Sequence, residues 1–229
     1  MVMKLGVTVE ELVAKYPRLY HMAERGSWPS IESYGLLSTS GLLDLFEVPK
    51  KDRFAIEESR RPKPVIIKHP KLGRAVIRDQ KALSESKLES SLKDCDVRTW
   101  YLELNKRVFF WLDVERLKTF MSAREYRGKL HTVLTLDTEI LVRDYEHKIT
   151  LSPLNTGATR PMAFPRGLAS FKRLNEYPFE ERIDRGSYGC VVELAVLGGV
   201  MNIVNYAKRV VHARCENGTI KVDETLFAA

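Results

Sequence analysis

Glu193 lies inside the apolar run Val191-Val-Glu-Leu-Ala-Val196. A carboxylate among such neighbours is costly to bury unless it is paired or put to use. The structural alternative is that strand alternation turns it to a solvated face, and on alternation alone that is the expectation. His21 follows Tyr20 in a short apolar run and precedes a Gly-Ser-Trp turn at residues 26–28. A single His near a strand end serves more often as a hydrogen-bonded structural residue than as a ligand contact. Arg78-Asp-Gln80 is a compact polar cluster after Ala75-Val-Ile77 and reads at its plainest as an exposed strand end. Asn155-Thr-Gly157 could bind an anion through backbone N–H groups, although such tripeptides are common.

Several chemistries are excluded. The chain has no nucleophile elbow, no Walker A loop, no pair of acids at recognisable spacing and no Gly-x-Gly-x-x-Gly after a strand. Cys95, Cys190 and Cys215 are odd in number and widely spaced, which disfavours a disulfide framework or a zinc ribbon. The five His residues form no His-Glu-x-x-His pair, so a protein-ligated metal is not expected. Lys and Arg number 37 against 30 acids, a net charge of +7. The surplus favours anionic partners, or serves solubility alone. Part of it sits in a proline-punctuated stretch with Arg60, Arg61, Lys63, Lys68, His69, Lys71 and Arg74 among Pro62, Pro64 and Pro70. Those cations either track phosphates or coat a solvated loop.

The elements that must position these residues follow from local signals. Thr8-Val-Glu-Glu11 is a capping box that opens a helix stopping near Pro17. A brief strand over residues 18–21 is followed by a helix with Pro29 in its first turn and Gly35 as its C-cap. A second short helix covers residues 42–46. Residues 50–74 read as irregular, a loop around one short strand at 65–67. An amphipathic helix spans 83–94, and Asp96 and Asp113 cap two further helices on either side of the aromatic strand Val108-Phe-Phe-Trp111. Residues 131–136 form a strand, and 150–190 a loop-rich insertion of the kind that is usually functional. Apolar strands over 190–196 and 209–214 precede an Asn217-Gly218 hairpin turn into 219–222. The pattern lacks regular βα alternation, so an α+β domain with antiparallel sheets is expected. With 44% apolar residues the chain can build a core. The most apolar stretch, residues 191–204, is too short and too interrupted to span a bilayer, and the first residues lack a signal-peptide core. A cytoplasmic protein is expected.

Taken in order, three blocks carry a resemblance. Leu19-Tyr-His21, Trp28-Pro-Ser-Ile31 and Gly35-Leu-Leu-Ser38 look like the opening of ADP-ribosyltransferases and related RNA phosphotransferases, a strand with a His and then a helix running into Gly-Leu-x-Ser. Val108-Phe-Phe-Trp111 resembles their second, aromatic strand. Val192-Glu-Leu-Ala-Val196 is similar to the last motif, whose strand carries the catalytic Glu. The His, aromatic, Glu order is nearest to the DarT-like group, which modifies DNA bases. The chain is also similar to a poorly characterised bacterial family sharing the Arg-Asp-Gln, Leu-Asn-x-Arg-Val-Phe-Phe-Trp and Asn-Thr-Gly blocks. The blocks cover about a quarter of the chain, and the middle one has Phe109, Phe110 and Trp111 where many of these transferases have Tyr.

The resemblance implies one ADP-ribosyltransferase-like domain over residues 1–229, with split antiparallel sheets and flanking helices. It implies NAD as the substrate that donates ADP-ribose. Glu193 would stabilise the developing cation, with Arg78 pairing the pyrophosphate or an anionic acceptor. His21 would hold the adenosine ribose as a directional donor. Tyr20 and Phe109 or Phe110 would wall the nicotinamide, and Gly35 would permit a close backbone turn beside it. Tyr177, Phe179 and Tyr188 would lie in a substrate loop over residues 175–189, or simply pack it down. The implied acceptor is DNA or RNA, as for a toxin or defence enzyme with an antitoxin protein as a further partner and no membrane. Transfer to protein or a small molecule is the alternative, as is a non-catalytic nucleic-acid-binding protein of the same fold.

Overall fold

The computed structural model describes residues 6–179 and 191–229. The Thr8 capping box opens α1 (Val9–Lys15). Thr8 Oγ1 accepts from the Glu11 N–H, and the Glu11 carboxylate accepts from the Thr8 N–H. Strand β1 (Arg18–Glu24) divides its side chains between two cores, Leu19 and Ala23 in one, Tyr20 and Met22 in the other. After α2 (Trp28–Tyr34), the chain turns at Gly35 into β2 (Leu36–Leu37) and then α3 (Thr39–Leu45), capped by Ser38. Helix α4 (Lys50–Arg53) runs on into a π-helical turn over Phe54–Glu58.

The basic segment is more ordered than its prolines suggest. It forms a hairpin of β3 (Val65–His69) and β4 (Gly73–Ile77), paired along five positions, in place of one short strand in a loop. Ile67 and Ile77 anchor it against Leu43, Phe46 and Ile56. Helices α5 (Glu85–Ser91) and α6 (Val97–Asn105) bury Leu88, Trp100 and Tyr101 together, and Asp96 caps α6 by accepting from the Thr99 N–H. Strand β5 (Arg107–Trp111) leads to α7 (Val114–Ser122), capped by Asp113. Next come β6 (His131–Asp137), α8 (Thr138–Tyr145) and β7 (Ile149–Ser152). Helix α8 follows β6 with no Gly or Pro between them, because Asp137, the last strand residue, is itself the helix cap. The rest is β8 (Glu193–Leu197), β9 (Gly199–Val200), β10 (Ala207–Glu216) and β11 (Thr219–Ala228). Asn217 and Gly218 turn β10 into β11 with φ of 48° and 73°, as a two-residue hairpin loop requires.

Seven strands form a sheet in the order β11-β10-β6-β1-β5-β8-β7, antiparallel at every junction. This mixed arrangement of a large antiparallel sheet with flanking helices agrees with the α+β expectation. The junction between β1 and β5 differs from the others. It holds a single register pair, Tyr20 opposite Trp111, whereas β1 and β6 are paired at seven positions. Among the described residues no further ladder pair joins β1 to β5, so the seven-stranded sheet is held most thinly at this junction. Backbone groups freed by such a gap need other partners. His21 Nδ1 lies 2.9 Å from the Phe109 carbonyl, and Arg78 Nη1 donates to the Met22 carbonyl at 2.9 Å. Side chains thus replace ladder bonds at this junction.

Candidate functional site

A cleft of about 650 Å3 opens at this gap, and His21, Gly35, Arg78, Phe109, Trp111, Thr156 and Glu193 all line it. Its volume is that of an ordinary small-molecule site. Five Arg residues (25, 61, 74, 78 and 107) and three acids (Glu24, Asp79 and Glu193) border it.

Glu193 is the first residue of β8, opposite Trp111 on β5 and Ser152 on β7. Alternation along a strand suggested a solvated face. Instead Glu193 is only 4% exposed, because its side chain faces the cleft from a central strand. Its Oε2 accepts from the Thr156 N–H at 3.0 Å and from the Thr156 hydroxyl at 2.7 Å. Burial raises its pKa to about 7, against the pull of the Thr156 hydrogen bonds and the charges of Arg166 and Arg116. The carboxyl therefore keeps its proton to higher pH than an ordinary Glu.

His21 projects from β1 beside the gap, with its ring 5.7 Å from that of Phe110. Desolvation and the nearby Arg78 charge lower its pKa to about 4, so the imidazole is neutral at physiological pH. A carbonyl only accepts, so Nδ1 carries the proton that binds Phe109, and Nε2 is left as a hydrogen-bond acceptor. Where the resemblance implies a donor, Nε2 is placed as an acceptor.

Arg78 follows β4 and is half-buried. Its guanidinium lies 4.7 Å from the Tyr126 ring centre and 5.7 Å from that of Phe120. The Arg-Asp-Gln cluster is no exposed strand end. Gln80 Oε1 accepts from the Arg61 N–H, Arg61 Nε donates to the Arg78 carbonyl, and Asp79 lies within reach of the Tyr126 hydroxyl and Lys81. Arg61, itself buried, also donates to Asn105 Oδ1 at 2.9 Å and to the Ile56 carbonyl.

Gly35 lines the cleft, and its tight turn serves the chain itself. Its φ is 88°, and a Cβ there would come within 2.8 Å of the Val200 carbonyl. Gly199 faces the same constraint, with φ of 128° and a would-be Cβ 2.5 Å from the Leu36 carbonyl. These two glycines allow β2 and β9 to pair beside the cleft.

Other expected contacts fall elsewhere. Tyr20 does not line the cleft; it packs with Trp111 in the cluster under α7. Phe110 is wholly buried in the main core, since it alternates with the cleft-lining Phe109. Tyr177 and Phe179 are core residues as well, so the start of the expected substrate loop is packed down. Tyr188 lies outside the described residues. The Asn-Thr-Gly tripeptide lines the cleft, yet two of its N–H groups are committed: Thr156 to Glu193, and Gly157 to Asn155 Oδ1 at 3.1 Å. Thr156 as a partner of Glu193, and Arg166 behind it, had no separate signal in the sequence, because hydroxyl and guanidinium groups at those positions belong to no spacing rule.

A protein-family model matches residues 17–207, most of the chain, and is described as a family of unknown function (DUF7002). The chain belongs to the DUF7002 family. No curated protein matches it. The DUF7002 match runs from just before β1 to the first residue of β10, and so takes in His21, Gly35, Arg78, Phe109, Thr156, Arg166 and Glu193.

Proposed function

We propose that the protein is an NAD-dependent ADP-ribosyltransferase acting on a nucleic-acid acceptor. The observation that carries this reading is that His21 and Glu193, 172 positions apart in the chain (193 − 21), line one cleft at the β1–β5 junction. NAD would supply ADP-ribose with nicotinamide as leaving group, and breaking that glycosidic bond builds positive charge on the ribose, as in glycoside hydrolysis.

The residues suit that demand. Glu193 has Oε2 held by Thr156, and its negative charge in a poorly hydrated site is worth more than it would be in water. It would accept a hydrogen bond from a ribose hydroxyl and favour the cation. His21 Nε2, an acceptor, would take a hydroxyl of the second ribose. Arg78, on the cleft wall, would pair with a phosphate. Phe109 would cover a planar ring. The acceptor side is supported by the β3–β4 hairpin, which carries Lys68, Lys71 and Arg74 and runs into the cleft through Arg74 and Arg78. Such a row of cations suits a phosphate backbone.

A thermal melt with and without NAD tests the first half of the reading. A ligand that binds the folded state raises the midpoint by mass action, by an amount that grows with concentration. The expected result is a concentration-dependent rise with NAD. A midpoint indifferent to millimolar NAD would remove the basis for the reading.

A further inference from the structure

Arg166 commits the Nε and Nη1 of its side chain to one short loop. It is 2% exposed. Its Nη1 reaches the carbonyls of Asn155, Thr156 and Ala158 at 3.4, 3.2 and 2.7 Å, and its Nε donates to the Phe164 carbonyl at 3.1 Å. Its own backbone is tied to the C-terminal end of α5, with its N–H bound to the Ser91 carbonyl and its carbonyl to the Lys93 N–H. A planar fork surrounded by carbonyls fixes the backbone that carries them. The loop after β7 therefore curls around the guanidinium, and the curl turns both donors of Thr156 toward one oxygen of Glu193. Among the described residues, Oε2 takes both bonds and Oε1 takes none.

We propose that Thr156 and Arg166 are positioning residues, which bind Oε2 of Glu193 to the loop and leave Oε1 as the oxygen that meets the ligand in the cleft. The proposal rests on the ADP-ribosyltransferase reading only for the identity of that ligand. An unrestrained Glu has three rotatable bonds, and a carboxylate bound through one oxygen keeps the other in a fixed direction without waiting for substrate. The charged groups acting on Glu193 are Arg166 from the loop and Arg116 from α7. Both favour the ionised form, as do the Thr156 bonds, whereas burial opposes it. The ladder neighbours Trp111 and Ser152 carry no charge.

The test is the titration of the Glu193 carboxyl, followed by carbon-13 NMR of labelled Glu and assigned with Glu193→Gln. Thr156→Val removes the hydroxyl and keeps shape and N–H. It is expected to raise the midpoint by about one pH unit, since one hydrogen bond to the charged form is lost. Thr156→Ser is expected to restore it. In parallel, nicotinamide release by Thr156→Val is expected to fall roughly tenfold in kcat with KM for NAD unchanged, and to recover in Thr156→Ser. Arg166→Lys keeps the charge and loses the fork, and should move the titration in the same direction. Should that variant fail to fold, Thr156→Val still decides. A folded Thr156→Val protein whose Glu193 titrates as in the parent would overturn the proposal, as would failure of Thr156→Ser to restore the midpoint. A shifted titration in a protein that never releases nicotinamide would uphold the positioning role and remove the NAD reading.

Discussion

Two ionisable groups in the cleft are tuned in opposite senses. Glu193 is held protonated to higher pH than usual and His21 is held neutral to lower pH, both chiefly by desolvation. The consequences for stability have opposite signs. The folded-state pKa of Glu193, about 7, lies above its ordinary 4.5, so the folded protein binds more protons between those values. Its contribution is fully present below pH 4.5 and is lost as pH rises through 7. For His21 the folded value of about 4 lies below the ordinary 6.5, and stability is lost as pH falls through that window. Glu193→Gln removes the first effect alone. Thermal melts should therefore show this variant more stable than the parent at pH 8, by roughly 4 °C or more, with the difference vanishing near pH 4. An equal difference at both pH values would mean that the carboxyl is not desolvated as described.

At the scale of elements, the site lies at the strand junction that holds a single ladder pair. The signals for most elements were legible. Caps at Thr8, Asp96 and Asp113 and the Asn217-Gly218 turn each stand where the sequence placed them, because caps and turns are set by a few adjacent residues. The strand at 65–67 was legible, but its partner β4, α8 and β7 were not. Ile77 owes its strand state to a remote cluster, and the cap of α8 is hidden as the end of a strand. The same limit applied to the site. His21, Arg78 and Glu193 stood out by type and place, but Tyr20, Phe110 and Tyr177 are core residues or cluster members, and aromatic type does not distinguish a wall from a core. The β2–β9 edge of the cleft yields a test at this scale. Gly35→Ala puts a Cβ against the Val200 carbonyl at a left-handed φ, and should cost about 1–3 kcal/mol. Chemical denaturation should show a lower midpoint with an unchanged slope. A midpoint equal to the parent's would mean that the Gly35 turn is not as tight as described.

Across the whole molecule, part of the net charge of +7 sits on the β3–β4 hairpin. Several surface cations are engaged in ion pairs, such as Arg53 with Asp44, Arg98 with Glu58 and Arg143 with Glu10 and Glu139. Lys68, Lys71 and Arg74 instead share the hairpin that leads into the cleft. If they contact a nucleic-acid backbone, affinity for single-stranded DNA should fall steeply with salt. Lys68→Glu with Lys71→Glu should flatten the logarithmic slope by roughly 0.7 per lost contact. A slope unchanged by both reversals would place the acceptor elsewhere. The central proposal is that the Glu193 carboxylate in the cleft favours cleavage of the bond between nicotinamide and ribose by stabilising the cation that forms. The measurement that addresses it most directly is nicotinamide release from NAD by the parent and by Glu193→Gln, with single-stranded DNA, RNA and protein offered as acceptors. The account predicts release by the parent at a rate that rises with pH through about 7, and a loss of roughly 100-fold or more in the variant with the NAD-induced thermal shift retained. Release at the parent's rate by Glu193→Gln, or none by the parent with any acceptor, would contradict it.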